Sequence, residues 1–191
     1  MRQLILAAVA LAWAGAATAQ TATCILDLNV TDQDPAGLNV RASPGGPIIA
    51  AVEAKKRWVQ VEVTGQNGAW ARITSATLEA DENGESADTV LWKGVGWVAF
   101  SKLGIGYFYG GTRFRAAPDE HAKVVLSLAG YRDSTAPPAE AILGCDGGWL
   151  KVRVKGVVGW TDQWCDDEGA LTCASQTATD DPRRHPARGR A

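Results

Sequence analysis

The chain has 191 residues, 46% of them hydrophobic and 21% charged, and a formal net charge of −2. That balance leaves no chain-wide basic footprint, so no nucleic-acid partner is expected. The length admits one large domain or two small ones.

Residues 1–19 read as a secretory signal peptide: Arg2 gives the positive start, Leu4 to Ala14 is uncharged and apolar, and Ala17-Thr18-Ala19 is a small-residue cleavage site. Cleavage between Ala19 and Gln20 is expected. The apolar run is shorter than the about 20 residues a membrane span needs, so no stable membrane anchor is expected after cleavage. Thr21-Ala22-Thr23 ahead of Cys24 fits a lipidation site poorly. The mature chain is therefore read as exported, periplasmic or secreted.

The four cysteines, Cys24, Cys145, Cys165 and Cys173, all follow the signal segment. An even number in an exported chain favours two disulfides. No close Cys pair with a neighbouring His is present, so no metal site is expected. Cys165 and Cys173 flank a short Asp- and Gly-containing loop, which favours that pair and leaves Cys24 with Cys145. Cys145 with Cys165 is the main competitor, because both flank one hairpin.

Along the mature chain the pattern is one of short strands and glycine turns. Strands are expected at Cys24 to Val30, Leu38 to Arg41, Ile48 to Val52, Trp58 to Val63 and Trp70 to Ile73. Gly65-Gln66-Asn67-Gly68 reads as the turn before Trp70. Thr74 to Val90, with Glu79, Asp81, Glu82, Glu85 and Asp88, reads as a long acidic hairpin loop. It lacks the twelve-residue ligand ladder of a helix–loop–helix calcium site, and a solvated loop is the better reading. Val95 to Phe100 closes the first unit. Tyr107-Phe108-Tyr109 is expected to pack between the two units. Strands then follow at Lys123 to Leu128, Trp149 to Val154 and Val157 to Trp160, with Ala139 to Cys145 leading up to the Trp149 strand and a Lys155-Gly156 turn joining the last two. From Ser175 the chain loses periodicity, and Arg183, Arg184, Arg188 and Arg190 mark a disordered basic tail.

Three markers recur in order. Gly37-Leu38-Asn39-Val40-Arg41-Ala42-Ser43-Pro44 returns as Gly111-Thr112-Arg113-Phe114-Arg115-Ala116-Ala117-Pro118. Ala69-Trp70 returns as Gly148-Trp149, and Gly96-Trp97 as Gly159-Trp160. Leu38 to Pro44, Trp70 and Gly96-Trp97-Val98 resemble the bacterial SH3-like domain family of exported envelope proteins. The second copy departs from that pattern at Thr112, Arg113, Phe114 and Thr161. The resemblance implies an all-β protein of two tandem small SH3-like barrels used for binding or targeting. The expected divisions are 1–19 signal peptide, 20–106 first domain, 107–174 second, divergent domain and 175–191 tail. Units of this size sit near the lower limit for a self-sufficient core, where disulfides add constraint.

Catalysis is not expected. The only histidines, His121 and His185, fall in a loop and in the tail, too few and badly placed for a Cys–His or Ser–His–acid arrangement. The acidic clusters lack the apolar surroundings that raise a carboxyl pKa. No glycine-rich phosphate loop follows a strand, and no cofactor is expected. Peptidoglycan or its stem peptides are the favoured ligand, which the family resemblance suggests. Docking on an envelope protein, as an interaction or structural accessory, is the alternative. The repeated Trp70, Trp97, Trp149 and Trp160 read as core, and Arg41 and Arg115 as anchors of the loops that follow them. Trp58, Trp92 and Trp164, which have no repeat partner, are the candidate ligand-binding residues, together with Tyr107 and Tyr109.

Overall fold

Alternation of apolar and polar residues makes strands, and the structure forms them where the pattern is cleanest. The computed structural model describes residues 22–54, 58–79, 88–128 and 136–165. The signal segment with its Ala19–Gln20 cleavage point, residues 80–87 of the acidic loop, Cys173 and the basic tail lie outside the described residues. The strands are β1 (Ala22–Val30), β2 (Leu38–Arg41), β3 (Ile48–Val52), β4 (Val59–Asn67), β5 (Trp70–Leu78), β6 (Thr89–Ala99) and β7 (Leu103–Gly104). A single 3-10 turn, Phe100–Lys102, separates β6 from β7. Then come β8 (Tyr107–Phe108), β9 (Arg113–Arg115), β10 (Val124–Ser127), β11 (Ala141–Asp146), β12 (Trp149–Val154), β13 (Val157–Thr161) and β14 (Trp164–Cys165). Among the described residues there is no α-helix, and the fold is all-β.

The first seven strands form one curled sheet in the order β3-β2-β6-β5-β4-β1-β7. The others form a five-stranded sheet, β10-β9-β13-β12-β11, and a β8–β14 pair. Adding seven to each strand number of β3-β2-β6-β5-β4 reproduces the five-stranded order. The β1–β7 pairing likewise has its counterpart in β8–β14.

Turn chemistry repeats as well. Asn67 pairs with Trp70 across a Gly68-Ala69 loop, and Asp146 pairs with Trp149 across Gly147-Gly148. The first glycine of each loop has φ +56°, which suits a two-residue hairpin loop with glycine leading. Lys155 and Gly156, both at positive φ, turn β12 into β13.

One local expectation is corrected. The segment from Thr74 to Val90 is mostly not a loop: Thr74 to Leu78 continues β5, and Thr89 begins β6. Thr74, Thr77 and Val90 are β-branched, and Ser75 to Leu78 pair on both sides, with β4 and β6, so the hairpin extends outward. Within the Tyr107-Phe108-Tyr109 triplet, Tyr107 and Phe108 pair with β14. Phe108 is fully buried and meets Phe114 edge-to-face at 5.0 Å inside the second unit.

The glycines of the two Gly-Trp pairs also have a packing reason. A side chain on Gly96 would collide with Val40, and one on Gly159 would collide with Phe114. Val40 and Phe114 occupy equivalent places on β2 and β9, so each lies against bare backbone of the neighbouring strand.

The two sheets share one connected apolar core, from Cys24 and Leu26 through Phe100 to Leu150 and Trp164. The seam is formed by β1 and β11. Ile25 N–H donates to Gly147 O, Gly147 N–H donates to Thr23 O, and Cys24 is disulfide-bonded to Cys145. Gln66 at the end of β4 accepts a 2.8 Å bond from Cys145 N–H. Gly144 lacks the side chain that would collide with that carboxamide. The favoured Cys24–Cys145 pairing is the one formed. Cys165 is also in a disulfide. Below the seam, Lys102 Nζ meets the buried Asp32 carboxylate at 2.8 Å. That hydrogen bond and the adjacent negative charge hold Lys102 above its ordinary pKa.

The Cys24–Cys145 bond spans 121 residues, for which loop-closure entropy gives about 5 kcal/mol of stabilisation. The Cys24→Ala/Cys145→Ala double variant should lose stability on that scale in chemical denaturation. A change below about 1 kcal/mol would mean that the backbone seam alone holds the sheets together.

Candidate functional site

Outward positions on neighbouring strands build the same motif on both sheets. On β6, Trp97 lies between buried Gly96 and Val98, and its side chain therefore faces out. Arg41 of β2 stands opposite Trp97 on one side, and Arg72 of β5 stands opposite it on the other. On the second sheet, Trp160 of β13 stands between Arg115 of β9 and Lys151 of β12. Each face therefore carries a cation–Trp–cation row across three strands, and all six residues are partly exposed.

The rows are fixed from beneath. The Arg41 guanidinium donates to Gly46 O at 2.6 Å and lies 5.7 Å from the centre of the Trp70 ring. Arg115 donates to Ala122 O at 2.9 Å. Each arginine ties down the loop after its own strand, as expected from their repetition. Arg72 is held by Thr64 Oγ1 at 2.7 Å. Lys151 Nζ lies 5.5 Å from the centre of the Trp160 ring, a cation–π contact that keeps the ammonium on the aromatic face.

Beside the second row lies a cleft of about 290 Å³ lined by Gly111, Arg113, Arg115, Asp162 and Gln163. Arg113 and Arg115 are alternate residues of β9 and leave the same face of the strand, with Phe114 between them in the core. Gln163 forms the opposite wall. Its backbone N–H donates to Thr161 Oγ1 at 3.1 Å, and its carbonyl lies 3.2 Å from Thr112 Oγ1, whose proton has a shorter bond to Tyr109 O at 2.7 Å. Its side-chain carbonyl accepts from Arg113 N–H at 3.2 Å.

The expected ligand-binding aromatics are not brought together. Trp58 is half exposed and stands at the outer end of β4, where its carbonyl accepts from Glu79 N–H. Trp92 lies over Gly94 and Gly96 and lids the first core. Tyr107 and Tyr109 meet edge-to-face at 6.0 Å, both half buried. Trp164 is only 4% exposed and belongs to the core. Its register in β14 opposite Phe108 turns it inward, which removes it from any binding surface.

The opposite correction applies to Trp70, Trp97, Trp149 and Trp160. All four sit at outward positions and are half buried, not core. Sequence reasoning missed both the rows and the cleft. The available signal was the company of cations: Arg41 and Arg115 recur at a fixed place, and Arg72 and Lys151 each stand two residues after a Trp.

No family model matches the chain, and no curated protein matches it. Among solved structures the chain is similar to NlpC2 from Trichomonas vaginalis, with 12% identity and a TM-score of 0.31. The likeness covers 76% of this chain and 47% of that one, so the chain spans about half the length of that structure. A likeness at that level defines neither fold nor activity.

Truncating the buried and the exposed unrepeated tryptophans should separate them sharply. Trp164→Ala is expected to cost about 3–5 kcal/mol in chemical denaturation, and Trp58→Ala to stay within about 0.5 kcal/mol. Equal losses would overturn the assignment of Trp164 to the core.

Proposed function

We propose that the chain is a non-catalytic exported binding module made of two divergent SH3-like barrels, and that its ligand is peptidoglycan in the bacterial envelope. The observation that carries this reading is the repeated cation–Trp–cation row. A flat aromatic face accepts the apolar side of a sugar or peptide, and flanking cations accept carboxylates. Peptidoglycan offers both chemistries in regular repetition. Two such rows on one rigid body suit a repeating polymer, because the second contact forms at high effective concentration once the first has formed. The recurring strand order, turn glycines and loop-anchoring arginines support descent of both sheets from one SH3-like unit.

One observation favours the alternative of a protein partner in the envelope. Strand β3 ends the first sheet, carries no charge between Ile48 and Val52, and leaves Ile48 and Ile49 about half exposed. An apolar edge of this kind is a template for strand addition.

The test is retention of the mature protein, starting at Gln20, on insoluble peptidoglycan at low and high salt. Retention that survives high salt and falls at least tenfold in the Trp97→Ala/Trp160→Ala double variant is the expected result, because stacking is less screened than charge pairing. Absence of retention at every salt concentration would overturn the wall reading. Retention of an envelope protein by the wild type, lost in Ile48→Lys, would then establish the β3 edge as the working surface.

A further inference from the structure

Five departures of the second sheet from the sequence pattern of the first meet at one place, while Phe114 in place of Val40 lies in the core. Counting from the Gly-Trp pairs, Thr161 stands where the first sheet has Val98, Asp162 where it has Ala99, and Gln163 where it has Phe100. Counting from the leading glycines, which share a positive φ of +84° at Gly37 and +90° at Gly111, Thr112 replaces Leu38 and Arg113 replaces Asn39. Phe100 is buried in the first core. Its counterpart Gln163 instead walls a cleft, held by the two new threonines and by the Arg113 backbone. Thr112 and Thr161 are 1% and 0% exposed, and burying two hydroxyls is costly unless their bonds are made. Here Thr161 Oγ1 accepts from Gln163 N–H, and Thr112 Oγ1 donates to Tyr109 O at 2.7 Å with Gln163 O beside it at 3.2 Å. These five replacements lie together around Gln163.

The cleft they frame is lined by two arginines and one aspartate, the Arg115 guanidinium also donating to Ala122 O, yet no ion pair joins Asp162 to Arg113 or Arg115 among the described residues. Opposite charges facing one small space without meeting suit a guest that carries both charges itself. A volume of about 290 Å³ lies at the small end of ligand pockets and suits a single amino-acid-sized group. We propose that this cleft binds an α-amino carboxylate, its carboxylate on Arg113 and Arg115 and its ammonium on Asp162. Gln163 keeps its side-chain NH₂ for the guest, because its carbonyl oxygen is already committed to Arg113 N–H. Arginine is suited to the carboxylate, since its planar fork bonds both oxygens. In a wall polymer this group is the free side-chain end of a diamino dicarboxylic acid residue in an uncrosslinked stem peptide. The identity of that source rests on the wall reading, whereas the chemistry of the cleft does not.

The experiment is titration of the isotope-labelled mature protein with 2,6-diaminopimelate and with its N,N′-diacetyl derivative, followed by amide NMR. Saturable shifts at Arg113, Asp162 and Gln163 are expected, with the diacetyl form at least tenfold weaker. Arg113→Gln should weaken diaminopimelate about tenfold, and Asp162→Asn should bring the two forms level. Silence of the cleft residues, or equal binding of the two forms by the wild type, would overturn the proposal. Wall retention with a silent cleft would leave the wall reading standing without this site. A responsive cleft in a protein that the wall does not retain would do the reverse.

Discussion

The seam between β1 and β11 is the constraint on which the rest of the molecule depends. Strand β1 pairs with β4 and β7 in its own sheet, and its N-terminal end bonds to Gly147 and Cys145 of the other. One strand thus completes the first sheet and fastens the second. Small domains are marginal when their cores stand alone. Joining both cores through Cys24, Cys145 and Phe100 relieves that limit. It also fixes the two cation–Trp–cation rows on one body, so their spacing is a property of the fold and not of a linker.

Much of the fold was legible because its periodicity is local. Leu38 and Val40 point inward while Asn39 and Arg41 point outward, as alternation requires, and Trp149 to Val154 behaves in the same way. The Lys155-Gly156 turn and the Cys24–Cys145 bond were also open to reading, whereas the turn expected at Gly65 to Gly68 belongs to β4 through Asn67. The extension of β5 through Leu78 was hidden by the acidic residues that follow it, which drew the expected loop boundary back to Thr74. Its strand character comes from pairing with β4 and β6, and a single segment does not display its neighbours.

The tryptophans show the same limit more sharply. Whether an indole at the end of a strand faces core or water is set by cross-strand register. Repetition was therefore a poor guide to burial: the repeated Trp97 and Trp160 face out, and the solitary Trp164 faces in. The cleft was hidden for a related reason. Read along the chain, Thr112, Arg113 and Thr161 are a weakening of a pattern. Only folding brings them together around Gln163, where each has a hydrogen bond to make.

The disulfide has a consequence for how the chain is made. Cys24 and Cys145 are the first two thiols in sequence order. For a chain threaded N-terminus first into an oxidising compartment, no third thiol has emerged when Cys145 arrives. Joining cysteines simply in order of appearance then yields the native bond, and thiol shuffling is not needed to reach it. The seam would close while the last strands of the second sheet are still emerging, leaving β12 and β13 to assemble against a partner already anchored.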